Sequence, residues 1–450
     1  MPKIPLTIDP SYCRTWEYWE GVRELIQNAK DAEEFDQYKM TVDHSPRSDK
    51  LTVSNADVVV PASTLLLLGR TSKTEGGQRG KFGEGFALGC LALTRAGHSL
   101  TIYNGDEVWR PIIEKAEDGP FKGEELLVFQ TRKLQSSRPA FSIEVENVTK
   151  EMWERTRERF LFLEPPKEHE VVKVGYKGSV LLSPERKGAI YCKGIYVNTV
   201  GDLEYGYDLE DAQLDRDRRM IDEWDLKYKL STILNEAHSA APDTFAPRIY
   251  EMVKNGKKDT THLEYSADAK LLKALRESYA AENGDAVPVT SMQESRALEL
   301  VGARTAVVNK SMQTLLKKAG LDADEEKQRR QNSVKELLSW SALTEAETEA
   351  CTRLVEKITQ DYAIVTFHNE ALAVFLLPDS KVGIARWALT SKPLFLVKEV
   401  ALVEAKRQGQ VRSSDEILAQ ALLTAMNIPS EAPPAAASEV LSEPGFVEVL

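Results

Sequence analysis

Residues 23–32 read RELIQNAKDA, and this stretch decides how the N-terminal half of the chain is to be read. On a helix of about 3.6 residues per turn, Glu24, Asn28 and Asp31 fall within about 60° of one another. Trp19, Val22, Ile26 and Ala29 share an arc on roughly the opposite side, which marks a core stripe. The helix buries one face and gathers oxygen-bearing side chains on the other. An amphipathic helix with a solvated polar face would show the same pattern, so the next segments of the chain have to separate the two.

Downstream lie a strand, LTVSN (residues 51–55), a short apolar helix, and then a glycine-rich loop, GQRGKFGEGF (residues 77–86). Gly80, Gly83 and Gly85 let backbone amides come close to a ligand and take positive φ. The helix that begins at about Gly83 offers unpaired N–H groups and a positive dipole end, which suits phosphate, and Lys81 adds a cation. By itself the cluster also reads as a hinge. It is not a P-loop, since no GKS or GKT comes after it, and it does not sit in a Rossmann βαβ unit.

Taken in order, the E-xxx-N-A-x-D-A helix, the strand with a polar end, the TSK segment and GKFGEGF resemble the GHKL superfamily of ATPases. That superfamily includes gyrase B, the large heat-shock chaperone, histidine kinases and the mismatch-repair ATPases. The resemblance covers Trp16–Gly97 with specific motifs and extends more loosely to about Ala240. It implies a Bergerat-type α/β sandwich, helices laid over one face of a mixed sheet, binding ATP with Mg²⁺. Residue by residue it implies that Glu24 is the general base, that the Asn28 side-chain oxygen is the metal ligand, and that Asp31 lies near the nucleotide. Gly80, Lys81, Phe82, Gly83 and Gly85 match the loop that wraps the triphosphate, and Thr71, Ser72 and Lys73 fall in a lid. The lid segment, Leu68–Arg79, is expected to close over ATP and to bring two ATP domains together as a homodimer.

The family pattern at the strand end is D-x-G-x-G, with the aspartate on the adenine amino group. Here the segment is Asn55-Ala56-Asp57-Val58-Val59, so asparagine stands at the aspartate position and both glycines are absent. Asn55 can still accept through its oxygen but can also donate, and aspartate is expected to be tolerated there. A two-residue shift would make Asp57 the adenine contact instead. Gly178-Ser179 is the nearest match to the family's later Gly-Thr strand. Of Arg216, Arg218 and Arg219, in LDRDRRMIDEWD, the resemblance implies that one, Arg218 foremost, senses the γ-phosphate; a solvated charged turn is the other reading.

The bulk composition fits this. A chain of 450 residues suggests two or three domains. With 58 Lys and Arg against 70 Asp and Glu, the net charge of -12 favours a soluble acidic protein over a dedicated nucleic-acid binder. The cysteines form no CxxC pair and the histidines no HExxH, which leaves a zinc site without support and suggests reduced thiols. MPKIPLTIDP has no apolar signal core, and no run of 18 apolar residues occurs, so the expected location is cytoplasmic, with no membrane partner. No histidine precedes Trp16, against a histidine kinase.

The expected layout is α+β. An ATP domain with a β-rich extension spans 1–240, a mainly helical region 241–330, a small α+β domain 331–428 and a disordered tail 429–450. Asp9-Pro10 is expected to open the first helix, which runs to about Phe35. PLFLVKEVALVEAKRQG faintly resembles zinc peptidase modules, but Lys398 and Leu402 occupy the histidine positions. The whole reads as a GHKL-type ATPase of bacterial or phage kind, acting on a protein or nucleic-acid client. A non-hydrolysing ATP-sensing scaffold is the alternative.

Overall fold

The computed structural model describes residues 2–62, 84–212, 214–215, 222–299, 303–332, 337–369, 373–376, 381–391 and 393–408. The chain divides into two compact units, Met1–Leu226 and Lys227–Leu450, and the fold is α+β. In chain order the first unit opens with β1 (Lys3–Pro5), α1 (Tyr18–Asp36), β2 (Met40–Ser45), β3 (Lys50–Ala56), α2 (Gly85–Arg95), β4 (Leu100–Lys115) and β5 (Glu125–Val145).

β5 is the spine of an antiparallel sheet. β4 pairs along one edge of it, with a register shift around Asn104–Glu107. The other edge is shared, by β1 at one end and by β3 at the other, and β2 lies outside β3. β4 and β5 each run through this irregularity as a single strand, because a bulge bends a strand without ending it. Alternation along β3 turns Leu51, Val53 and Asn55 inward. α1 and α2 cover that face, and Val22, Leu25, Ile26, Leu91, Ile102, Trp109 and Phe129 form the core between them.

The first helix does not open at Asp9-Pro10. Asp9 Oδ1 instead accepts from the Ser11 amide at 2.7 Å, a local turn that competes with helix, and α1 starts at Tyr18. Its first turn is closed by a capping box in which the Glu17 amide donates to Glu20 at 3.0 Å. The intervening turns are held by Arg95, whose guanidinium donates to the carbonyls of Pro10, Tyr12, Cys13 and Trp16 at 2.6–3.2 Å.

α3 (Lys150–Arg157) leads to a second sheet of β6 (Val171–Val174), β7 (Gly178–Leu181), β8 (Ala189–Cys192), β9 (Ile195–Thr199) and β10 (Gly206–Leu209), ordered β6-β7-β10-β8-β9. The β8–β10 pair is parallel. The β8–β9 hairpin turns on Lys193 and Gly194, both at positive φ, as a tight two-residue hairpin requires.

The second unit is helical at first, with Glu223–Ala240 leading in. It then forms a βαβ unit of Val287–Val289, the helix Met292–Glu299 and Thr305–Val307, with the two strands parallel. A three-stranded sheet comes next (Val365–His368, Val374–Leu376, Val382–Ala385), against the helix Pro393–Arg407. The strand Val382–Ala385 continues directly as the helix Arg386–Ser391. The end of the domain expected at 331–428, and the tail expected at 429–450, lie outside the described residues. Among the described residues, no helix is long and apolar enough to cross a membrane.

Candidate functional site

The polar face of α1 is not solvated. Glu24 is 7% exposed and Asp31 1%, and Arg23 and Gln27 are buried with them, while Asn28 is half-buried. Burying carboxylates is costly unless charge and hydrogen bonds compensate them, so the solvated-helix reading fails here. Part of the compensation for Glu24 comes from its neighbour: Arg23 Nε and Nη2 each lie 3.0 Å from Glu24 Oε1.

The other oxygen of Glu24 is placed by glycine. A Cβ built on Gly85, the first residue of α2, would come closer than 3.0 Å to Glu24 Oε2. One turn on, a Cβ at Gly89 would sit 3.2 Å from Glu24 Cβ, and one at Gly21 would sit 2.5 Å from Leu93 Cγ. Three glycines thus let α1 and α2 approach closely enough to bring the carboxylate onto the first turn of α2, where backbone N–H groups are unpaired by the helix itself. Gly21 and Gly89 are contributions that the sequence reading missed; their signal is small residues spaced four apart on α2 (Gly85, Gly89) facing a glycine on α1.

Asn55 stands at the inner end of β3, 4% exposed. Its Nδ2 donates to the carbonyls of Ala29 and Tyr38, each at 2.9 Å, tying the strand to the middle of α1 and to the residue just past its end. Both amide hydrogens are thereby used. A carboxylate at 55 would face two carbonyl oxygens with no proton to offer. Asp57 is exposed and lies at φ +56°, the left-handed region that favours the glycine of the family pattern, and its amide donates to the Pro139 carbonyl at 2.7 Å. Asp57 therefore forms the turn after β3. Gly178 lies in the second sheet opposite Leu209, where a Cβ would collide with the Asp208 carbonyl, so its need is strand packing.

The structure therefore sets Glu24 of α1 against Gly85 of α2 and ties Asn55 of β3 to the Ala29 carbonyl of the same helix, which also carries Asn28 and Asp31. Thr71, Ser72, Lys73, Gly80, Lys81, Phe82, Gly83 and the arginines 216, 218 and 219 lie outside the described residues, as does the lid segment 68–79. Among the described residues no cluster of three or more His, Cys, Asp or Glu could hold a metal ion by itself. A magnesium ion bound through phosphate oxygens and water needs no such cage; one amide oxygen, as Asn28 carries, fits that donor set.

No family model matches the chain, and no curated protein matches it. Among solved structures it is similar to the ATPase region of Saccharomyces cerevisiae topoisomerase II, at 9% identity and a TM-score of 0.28, over 40% of this chain and 62% of that one. The same region bound to ICRF-187 (dexrazoxane) matches at 10% identity and a TM-score of 0.28. The ATPase and transducer domains of DNA topoisomerase II from Balamuthia mandrillaris match at 10% identity and a TM-score of 0.26, over 57% of this chain and 70% of that one.

Proposed function

We propose that this protein binds ATP with magnesium and hydrolyses it at the α1–α2 site. One observation carries the reading. A helix with Glu, Asn and Asp at spacings of four and three buries both carboxylates, and sets one Glu24 oxygen against the glycine that starts the next helix. A buried carboxylate with an oxygen facing a helix start suits a site that must hold phosphate and activate water.

In this reading Glu24 orients the attacking water and takes its proton. The Asn28 oxygen is the protein's ligand to magnesium, which when bound neutralises phosphate charge. Asp31 and Asn55 border the nucleotide, and the amides of the loop ending at Gly85 receive the phosphates. The lid residues Thr71, Ser72 and Lys73, with Lys81 and one of the arginines near 218, would complete the triphosphate shell. Closure of the lid would pair two copies of the chain and pass the nucleotide state to a protein or nucleic-acid client in the cytoplasm of a bacterium or its phage.

A second reading, a nucleotide-sensing scaffold without turnover, is favoured by the asparagine at 55 and by the arginine already bound to Glu24. Calorimetry and turnover on the full chain separate the two. Asn28→Ala is expected to weaken Mg-ATP binding about tenfold or more, the scale of one lost charge-assisted contact. Unchanged binding would sink the assignment of this helix. Tight binding with no phosphate release by the native chain would select the scaffold.

A further inference from the structure

Glu24 is held by its own chain neighbour, and in an unusual way. Residues adjacent on a helix do not face one another, so the Arg23 side chain must turn along α1 to reach Glu24, and it does so while 3% exposed. Its Nε donates to Oε1 at 3.0 Å, with Nη2 in ion-pair contact with the same oxygen at 3.0 Å, which engages Oε1 and leaves Oε2 toward Gly85. The guanidinium carbon lies 5.2 Å from the ring centroid of Trp16, itself 4% exposed. The Trp16 carbonyl is in turn gripped at 2.6 Å by Arg95, near the far end of α2. A continuous mount thus runs from α2 through the turn before α1 to the candidate base.

We propose that Arg23 is the positioning residue of Glu24, and that Trp16, mounted by Arg95, holds Arg23 in place. The role rests on the ATPase reading above. With Oε1 occupied, Oε2 is the oxygen that takes the proton of the attacking water. As that O–H bond breaks, the water oxygen bonds the γ-phosphorus and the bond from this phosphorus to the β–γ bridging oxygen breaks. ADP and phosphate leave, and the proton on Oε2 passes to solvent. The guanidinium forms no bond in the step; it sets which oxygen faces the water.

Arg23→Gln and Arg23→Lys, each alone and combined with Glu24→Gln, test this on the full chain through the ATP dissociation constant and the turnover number. Arg23→Gln is expected to bind ATP within about twofold of the native chain and to turn over at least about tenfold slower, the scale of a misplaced catalytic group. Lysine, a point charge without the fork, should recover part of the loss. In the Glu24→Gln background, Arg23→Gln should cost nothing more, because its effect passes through that carboxylate. Full turnover in Arg23→Gln, or an equal further loss on top of Glu24→Gln, overturns the proposal. Should Arg23→Gln melt at assay temperature, Trp16→Leu takes its place, with a smaller loss that must likewise vanish in the Glu24→Gln background. A native chain with no turnover overturns the ATPase reading itself and this role with it. Native turnover that Arg23→Gln leaves intact overturns the role alone.

Discussion

α1 in the first unit and the helix Pro393–Arg407 in the second each bury two acidic side chains, Glu24 and Asp31 in one, Glu399 and Glu404 in the other. Their surroundings differ. Glu404 is closed off within its own helix, bound by Arg407 Nε and Nη2 at 2.7 and 2.6 Å and by Gln408 at 2.6 Å. Glu399 lies between Lys398 and Val400 in KEVAL, where Lys398 and Leu402 carry no metal-ligating chemistry. Around Glu24, by contrast, Gly85 and Gly89 present no side chain to fill the space, and one oxygen is left on a helix start. A buried carboxylate alone does not make a site. The proposed site adds one carboxylate oxygen that is held and another that faces a glycine-cleared helix start.

The contrast between the two helices is tested first by turnover. Glu24→Gln should fold, bind ATP, and turn over about a hundredfold to ten-thousandfold slower, the range for losing a general base, whereas Glu399→Gln should leave turnover unchanged. A phosphate-release assay showing equal losses would erase the distinction between them.

The next largest effect is expected in the second unit and in pH. His368, fully buried on the strand Val365–His368, is pushed down from 6.5 to about 4 by desolvation. The unfolded chain binds that proton below about pH 6.5 and the folded chain only below about 4, so stability falls as pH drops through this window and this contribution levels off below it. The loss has a ceiling of about 3 kcal/mol. Urea unfolding of the native chain and of His368→Leu at pH 7 and pH 4.5 should show the dependence in the first and its removal in the second.

Asn55→Asp sharpens the contrast on the site itself. It should lower the stability of the first unit by about 1–3 kcal/mol, the cost of leaving the Ala29 and Tyr38 carbonyls without donors and adding a charge beside them. A thermal melt of the variant that matches the native chain would return position 55 to the family's aspartate role.

The smallest effect concerns Glu347, bound by Arg386 Nη2 at 2.7 Å and by the Thr344 amide at 2.8 Å, and pushed down to about 2, chiefly by that arginine. Its stabilisation is present above the ordinary value of 4.5 and is lost as pH falls toward about 2. With Arg386 partly exposed, Glu347→Gln should cost about 1 kcal/mol at pH 7, and the difference from the native chain should vanish near pH 2.

Periodicity and residue type alone located α1 from Tyr18 on, the strand at 51–55 and the helix after the glycine loop, because each is a local pattern of burial or a turn with its own chemistry. The same reading put Glu24, Asn28 and Asp31 on one face, since 3.6 residues per turn fixes that spacing in any helix. It ran out where distant groups decide. Whether Asp9 caps a helix or closes a turn depends on Arg95, far along the chain, collecting the carbonyls between Asp9 and α1. Whether the polar face of α1 meets water depends on α2 lying against it, which three glycines allow. Whether Asn55 is a ligand contact or a tie depends on which carbonyls the fold brings to its amide. A sequence states which atoms a residue can offer; only packing decides which partners stand within about 3 Å of them, because hydrogen bonds and ion pairs act over that distance and no further.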